Sequence, residues 1–125
     1  MSTKGARALA LPRKAVTSVA SKVRNRIDPL VFPVSVDVTH GLKVIDTIRA
    51  CRKTYGPDVH FAPGLSNVSF GLPRRPLINL AFAHLCHAHG CDGGIVDPAQ
   101  INDRTLAAMD TSSTAFKLAS ALLCG

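Results

Sequence analysis

The sequence predicts an α/β fold, with helices crossing over a parallel sheet. After residue 27, short apolar runs alternate three times with stripes at helical spacing. A polar loop bounded by glycines, PGLSNVSFGLP at 63–73, lies between a strand-like run and a helix start. A βαβαβα order of this kind gives parallel strands joined by right-handed crossovers. The composition is that of a globular protein, 46% apolar, and no uninterrupted apolar stretch approaches the roughly 18 residues that would cross a bilayer.

The first strand-like run is Ile27 to Val36, interrupted by Pro29 and Pro33. Gly41 to Thr54 follows as a helix, with Leu42, Ile45, Ile48 and Arg52 on one face. Gly56 and Pro57 stop it. Val59 to Ala62 reads as the second strand. Leu77, Leu80, Ala81, His84, Leu85 and Ala88 then mark a second helical stripe, with Pro76 in its first turn and Gly90 just past its end. Gly93 to Val96 is the third strand. Asn102 or Asp103 can cap a short helix, and Ser113 to Cys124 places Phe116, Ala119, Leu122 and Leu123 on one side.

The chain has 125 residues and a formal charge of +7, unevenly placed. Lys4, Arg7, Arg13, Lys14, Lys22, Arg24 and Arg26 all precede the first acid, Asp28, while eight basic residues balance eight aspartates in the rest. The segment 1–26 is therefore a basic unit and 27–125 a neutral body. The basic unit has three readings: an organelle transit peptide, an arm for nucleic acid or membrane, disfavoured because it carries no aromatic residue to stack or insert, and a surface helix. The helix is preferred, since Ala15, Val16, Val19, Ala20 and Val23 recur at helical spacing. Neither a nucleic-acid nor a membrane partner is expected.

In an α/β protein the chemistry sits in loops at the carboxyl ends of the strands. Those positions are Asp28 with its PLVFP loop, the Ser66–Asn67 loop, and Asp97. The phrase PGLSNVSFGLP, with IDPLVFPVSVD (27–37) before it and GGIVDP (93–98) after it, resembles the pterin-binding domain of corrinoid-dependent methyltetrahydrofolate methyltransferases and of cobalamin-dependent methionine synthase. The resemblance implies a partial (β/α)8 TIM barrel, the last three β/α units of a dihydropteroate synthase-like barrel. Because such a barrel takes about 250 residues, the chain is expected to be a fragment, inactive alone. Dihydropteroate synthase itself lacks the GLSNVSFGLP phrase and ranks below.

The resemblance further implies methyl transfer from 5-methyltetrahydrofolate to a corrinoid cobalt. The substrate would be a tetrahydrofolate, and the corrinoid (cobalamin) would ride on a partner protein or domain. Asn67 matches the asparagine that hydrogen-bonds N5 and is the expected catalytic residue. Asp28 matches the acid that grips the pterin, Arg75 a position near the reacting end that Arg74 could also fill, and Ser66 and Ser69 would orient the loop around the substrate. Plainer roles stay open. Asp28 before Pro29 and Asn67 in its loop both suit turns, Arg74 and Arg75 could be a solvated pair, and Asp97 suits a loop cap. The alternative function is a non-catalytic remnant or an assembly module that pairs half barrels, by self-association or with the missing half.

His84, Cys86, His87, His89 and Cys91 fall within eight residues. Helical spacing spreads them around the axis and no second cluster completes a tetrahedral set, so no metal is expected. Cys51 and Cys124 read as small core residues. With no secretory signal and no regular cysteine spacing, reduced thiols and a cytoplasmic location are expected.

Overall fold

The computed structural model describes residues 26–124, so all of the basic segment except Arg26 lies outside the described residues. β1 (Arg26–Ile27) pairs in parallel with β2 (His60–Phe61), Arg26 opposite His60 and Ile27 opposite Phe61. The ladder continues as Ala62 N–H donates to the Ile27 carbonyl at 3.0 Å. The third run joins through a parallel bridge between Gly64 and Ile95, with Ile95 N–H donating to the Pro63 carbonyl at 2.8 Å. The architecture is α/β with parallel strand pairing, and its strands are very short.

The run from Ile27 to Val36 is not one strand. Pro29 and Pro33 bring no N–H to a ladder, and beyond Pro33 the chain turns, with Val36 N–H returning to the Pro33 carbonyl at 3.1 Å. This loop instead lies along the polar loop: Val34 N–H donates to the Val68 carbonyl at 3.1 Å and Ser35 Oγ to the Phe70 carbonyl at 2.7 Å.

α1 (His40–Tyr55) follows, and Gly56 ends it at φ 74°. Its core face is Val44, Ile45 and Ile48 with Gly41, while Leu42 is only half-buried. Residues 65–69 form a 3-10 turn, and α2 (Arg75–Ala88) begins with Pro76 in its first turn. The expected stripe on α2 is rotated: Ile78, Ala81, Phe82 and Cys86 enter the core, whereas Leu77, Leu80, His84 and Leu85 are half-buried and Ala88 is exposed. α2 packs against the 3-10 turn, α1 and two further helices, so it is apolar on several sides and periodicity alone does not select the inward one. Those helices are α3 (Asp103–Ala108), capped by an Asn102–Thr105 capping box, and α4 (Thr114–Leu123), capped by Ser113. Ala119 and Leu123 bury α4 against α2 and α1, while Leu122 stays partly exposed. Among the described residues no helix is long and apolar enough to cross a membrane.

At the amino end of the strands, Arg52 on α1 holds three chain segments together. Its guanidinium donates to the carbonyls of Gly56 (2.8 Å), Val59 (2.7 Å) and Gly90 (2.8 Å), and lies 5.0 Å from the Phe61 ring centre. Asp92 completes this end, accepting from Phe61 N–H at 2.9 Å and from His60 Nδ1–H, with Arg52 Nη2 3.7 Å away.

Candidate functional site

At the carboxyl end, the strand register brings three loops to one edge of the sheet. Asp28 immediately follows β1, the 3-10 turn Leu65–Ser69 follows β2, and Asp97 follows the third run. Pro29 and Pro63 are fully buried at the floor of this edge.

Asn67 sits within the 3-10 turn, its backbone fixed by an N–H bond to the Gly64 carbonyl (3.2 Å) and by Phe70 N–H donating to its own carbonyl (3.4 Å). The residue is half-buried, and its side-chain amide takes no hydrogen bond among the described residues. Gly64 leaves room for it, since a Cβ there would stand 3.2 Å from Asn67 Nδ2. The space matters at Gly64, whose φ of -80° any residue can adopt.

Ser66, Ser69 and Arg75 are brought together. Arg75 Nε donates to Ser69 Oγ at 2.8 Å, Arg75 Nη2 donates to the Ser66 carbonyl at 3.0 Å, and the guanidinium lies 4.5 Å from the Phe70 ring centre. Ser66 thus enters this network through its carbonyl. Ser69 is fully buried and donates to Asn79 Oδ1 at 2.7 Å. Arg74 has no part in this network: it is exposed, with a left-handed backbone at φ 58°. Asn79, in the middle of α2, is the polar residue that sequence reading missed. The available signal was an amide inside the apolar run LINLAF.

Asp28 reaches the same edge without a hydrogen bond to the other four among the described residues. It is exposed as a residue, yet its carboxyl is partly withdrawn from water, and this desolvation raises its pKa above the ordinary carboxylate value. Asp97 accepts from Ala99 N–H at 2.9 Å, and its carbonyl accepts from Gln100 and Ile101 N–H, so it caps its own loop.

The His/Cys cluster is dispersed over separate partners. His84 Nε2–H donates to the Leu106 carbonyl, His87 Nδ1–H to that of Cys91 and His89 Nδ1–H to that of Leu85. Burial pushes the Cys91 thiol up to about 11 and that of Cys86 well above its ordinary value, which disfavours the thiolate that a metal requires.

No protein-family model matches the chain. The methylcorrinoid:tetrahydrofolate methyltransferase of Eubacterium limosum is 41% identical over 75 residues, 60% of this chain and 27% of that enzyme. The methionine synthases of Mycobacterium tuberculosis and Mycobacterium leprae are each 37% identical over 81 residues, 60% of this chain and 7% of theirs. The chain thus spans less than a third of the length of each of these curated relatives. Over that stretch it is similar to methyltransferases of the corrinoid–tetrahydrofolate and methionine synthase kinds, the resemblance that the loop phrase carries.

Proposed function

We propose that the chain supplies the reacting edge of a pterin-binding methyltransferase barrel, as its last three β/α units. The described strands form two parallel pairings, and closing a barrel fixes strand number, tilt and shear together. In this reading the chain acts with other strands and not alone. The substrate is a tetrahydrofolate, and the partner is a corrinoid-bearing protein or domain.

The observation that supports this reading is that Asn67, whose side chain takes no hydrogen bond among the described residues, follows β2 as Asp28, with its partly desolvated carboxyl, follows the parallel neighbour β1. A pterin fits that pair. Asp28, ionised, accepts two hydrogen bonds from the 2-amino-pyrimidinone edge. Asn67 faces N5, where an amide can donate or accept, and so follows the change in protonation as N5 loses or gains its methyl group. A bound corrinoid would supply the cobalt as acceptor or donor of the methyl group. Either direction makes the same demand on Asn67, so the reading covers both.

Calorimetry with 5-methyltetrahydrofolate tests the assignment, using the chain combined with the part of the Eubacterium limosum enzyme outside the matched stretch. Asp28→Ala should weaken binding by about 1.5–3 kcal/mol, and Asn67→Ala should slow methyl transfer more than it weakens binding. Unchanged binding and rate in both variants would sink the site. The assembly reading keeps one supporting observation: Leu30, Phe32, Val36 and Val38 are exposed together in the loop after β1.

A further inference from the structure

Asn79 is 4% exposed and Ser69 fully buried, so the bond between them is shielded from water. Two acceptors lie within reach of the Ser69 hydroxyl, and Asn79 Oδ1 at 2.7 Å is nearer than the Ser66 carbonyl at 3.2 Å. Arg75 Nε can only donate, so Ser69 Oγ accepts from it and spends its single proton on Asn79. The shorter contact is the one in which Oδ1 of Asn79 faces Ser69 and accepts that proton. Ser69 closes the 3-10 turn, and Phe70 next to it returns its N–H to the Asn67 carbonyl. Arg75 ties the start of the same turn through the Ser66 carbonyl.

We propose that Asn79 is a positioning residue for Asn67: from the middle of α2 it anchors Ser69, and through Ser69 and Arg75 it sets the turn that presents the Asn67 amide at the carboxyl edge. This deepens the pterin reading and rests on it for the meaning of Asn67, but the anchoring is a property of the chain without ligand. Position 79 requires an acceptor oxygen at that height on the helix. An apolar residue would leave the Ser69 hydroxyl buried with a weaker partner, the Ser66 carbonyl at 3.2 Å. The turn would then loosen at Asn67 while the helix persists.

Amide hydrogen exchange on the full chain, without ligand, reads this directly. Asn79→Ala should speed exchange at Asn67 and Phe70 by about tenfold or more relative to Ile45 and Ile48 in α1, because a local opening adds to the global one. Asn79→Asp keeps the acceptor and should return the turn to near its original rates. Ser69→Ala should reproduce the Asn79→Ala pattern without altering α2, which keeps the test open if Asn79→Ala does not fold. Unchanged exchange at Asn67 and Phe70, or an equal rise throughout the molecule, would overturn the proposal, as would failure of Asp to restore what Ala loses. Calorimetry with 5-methyltetrahydrofolate on the completed barrel separates the two readings. A local exchange signature without folate binding by the unsubstituted protein upholds the anchor and rejects the pterin site.

Discussion

The guanidinium of Arg52 grips the carbonyl oxygen of Gly90 from two nitrogens at once, Nε at 3.1 Å and Nη2 at 2.8 Å, across 38 residues of sequence. Gly90 has φ 113°, and a Cβ there would meet Arg52 Cγ at 3.1 Å, so the turn after α2 and the end of α1 are shaped to each other. Replacing Arg52 by Ala would strip partners from three carbonyls at the amino end of the strands. Chemical denaturation should show a loss of about 2–4 kcal/mol, by the usual worth of charged hydrogen bonds in a partly buried site. Arg52→Lys should recover little, because an ammonium lacks the planar fork. A loss below about 1 kcal/mol for Arg52→Ala would show that water replaces the guanidinium.

Gly41 makes the second close approach. A Cβ on it would lie inside the contact distance of the Leu123 carbonyl oxygen, which is backbone and cannot swing aside. Gly41→Ala should therefore destabilise by about 1–3 kcal/mol despite the better helix propensity of alanine. The thermal midpoint of the purified variant checks this, and an increase would mean that α4 shifts freely.

The raised pKa of Asp28 gives a pH dependence whose sign is fixed. Between the ordinary carboxylate value and the raised one, the folded state holds more protons than the unfolded state, so stability falls as pH rises through that window. Pterin binding runs the opposite way, since it needs the ionised carboxylate and tightens over the same window. Denaturation and calorimetry in parallel, from about pH 4 to pH 7, should show opposed slopes. Asp28→Asn should flatten both, and parallel slopes in the unsubstituted protein would separate Asp28 from the pterin.

Association should follow the loop after β1. Val36 is 76% exposed and Leu30, Phe32 and Val38 more than half exposed. At about 25 cal/mol per Å2, a few hundred Å2 of such surface gives several kcal/mol to association. Light scattering should report dimers or larger species that shift toward monomer in Phe32→Ser with Val36→Ser. A monomer at all concentrations would leave this loop without a role in assembly.

What was legible in the sequence was what single residues dictate. Gly56 and Gly90 end their helices where expected because positive φ is nearly closed to other residues, and of the two candidate caps Asn102 and Asp103 it is Asn102 whose side chain reaches a free amide. The strands were harder, since apolar content does not tell a paired segment from a buried loop. Pro29 and Pro33 were visible, and their missing N–H groups were the sign that pairing would stop. The polar loop stood out by its glycines, while the Asn79 bond to Ser69 and the Arg52 bond to Gly90 span 10 and 38 residues and follow no spacing rule. The stripe on α2 was right for Ala81 and only partly for Leu80 and Leu85, because a helix covered on several sides carries no single apolar face.

Arg74 and Arg75 stand side by side yet carry different kinds of information. Position 74 is defined by its left-handed backbone, which glycine and asparagine enter with less strain than arginine. Position 75 is defined by its head group, with a planar fork reaching two loop oxygens and a flat face over Phe70. In a library randomised at both sites and selected for folding, the first should drift toward small residues and the second should return arginine. A pair that looks redundant in composition is thus one site that selects for backbone and one that selects for a head group.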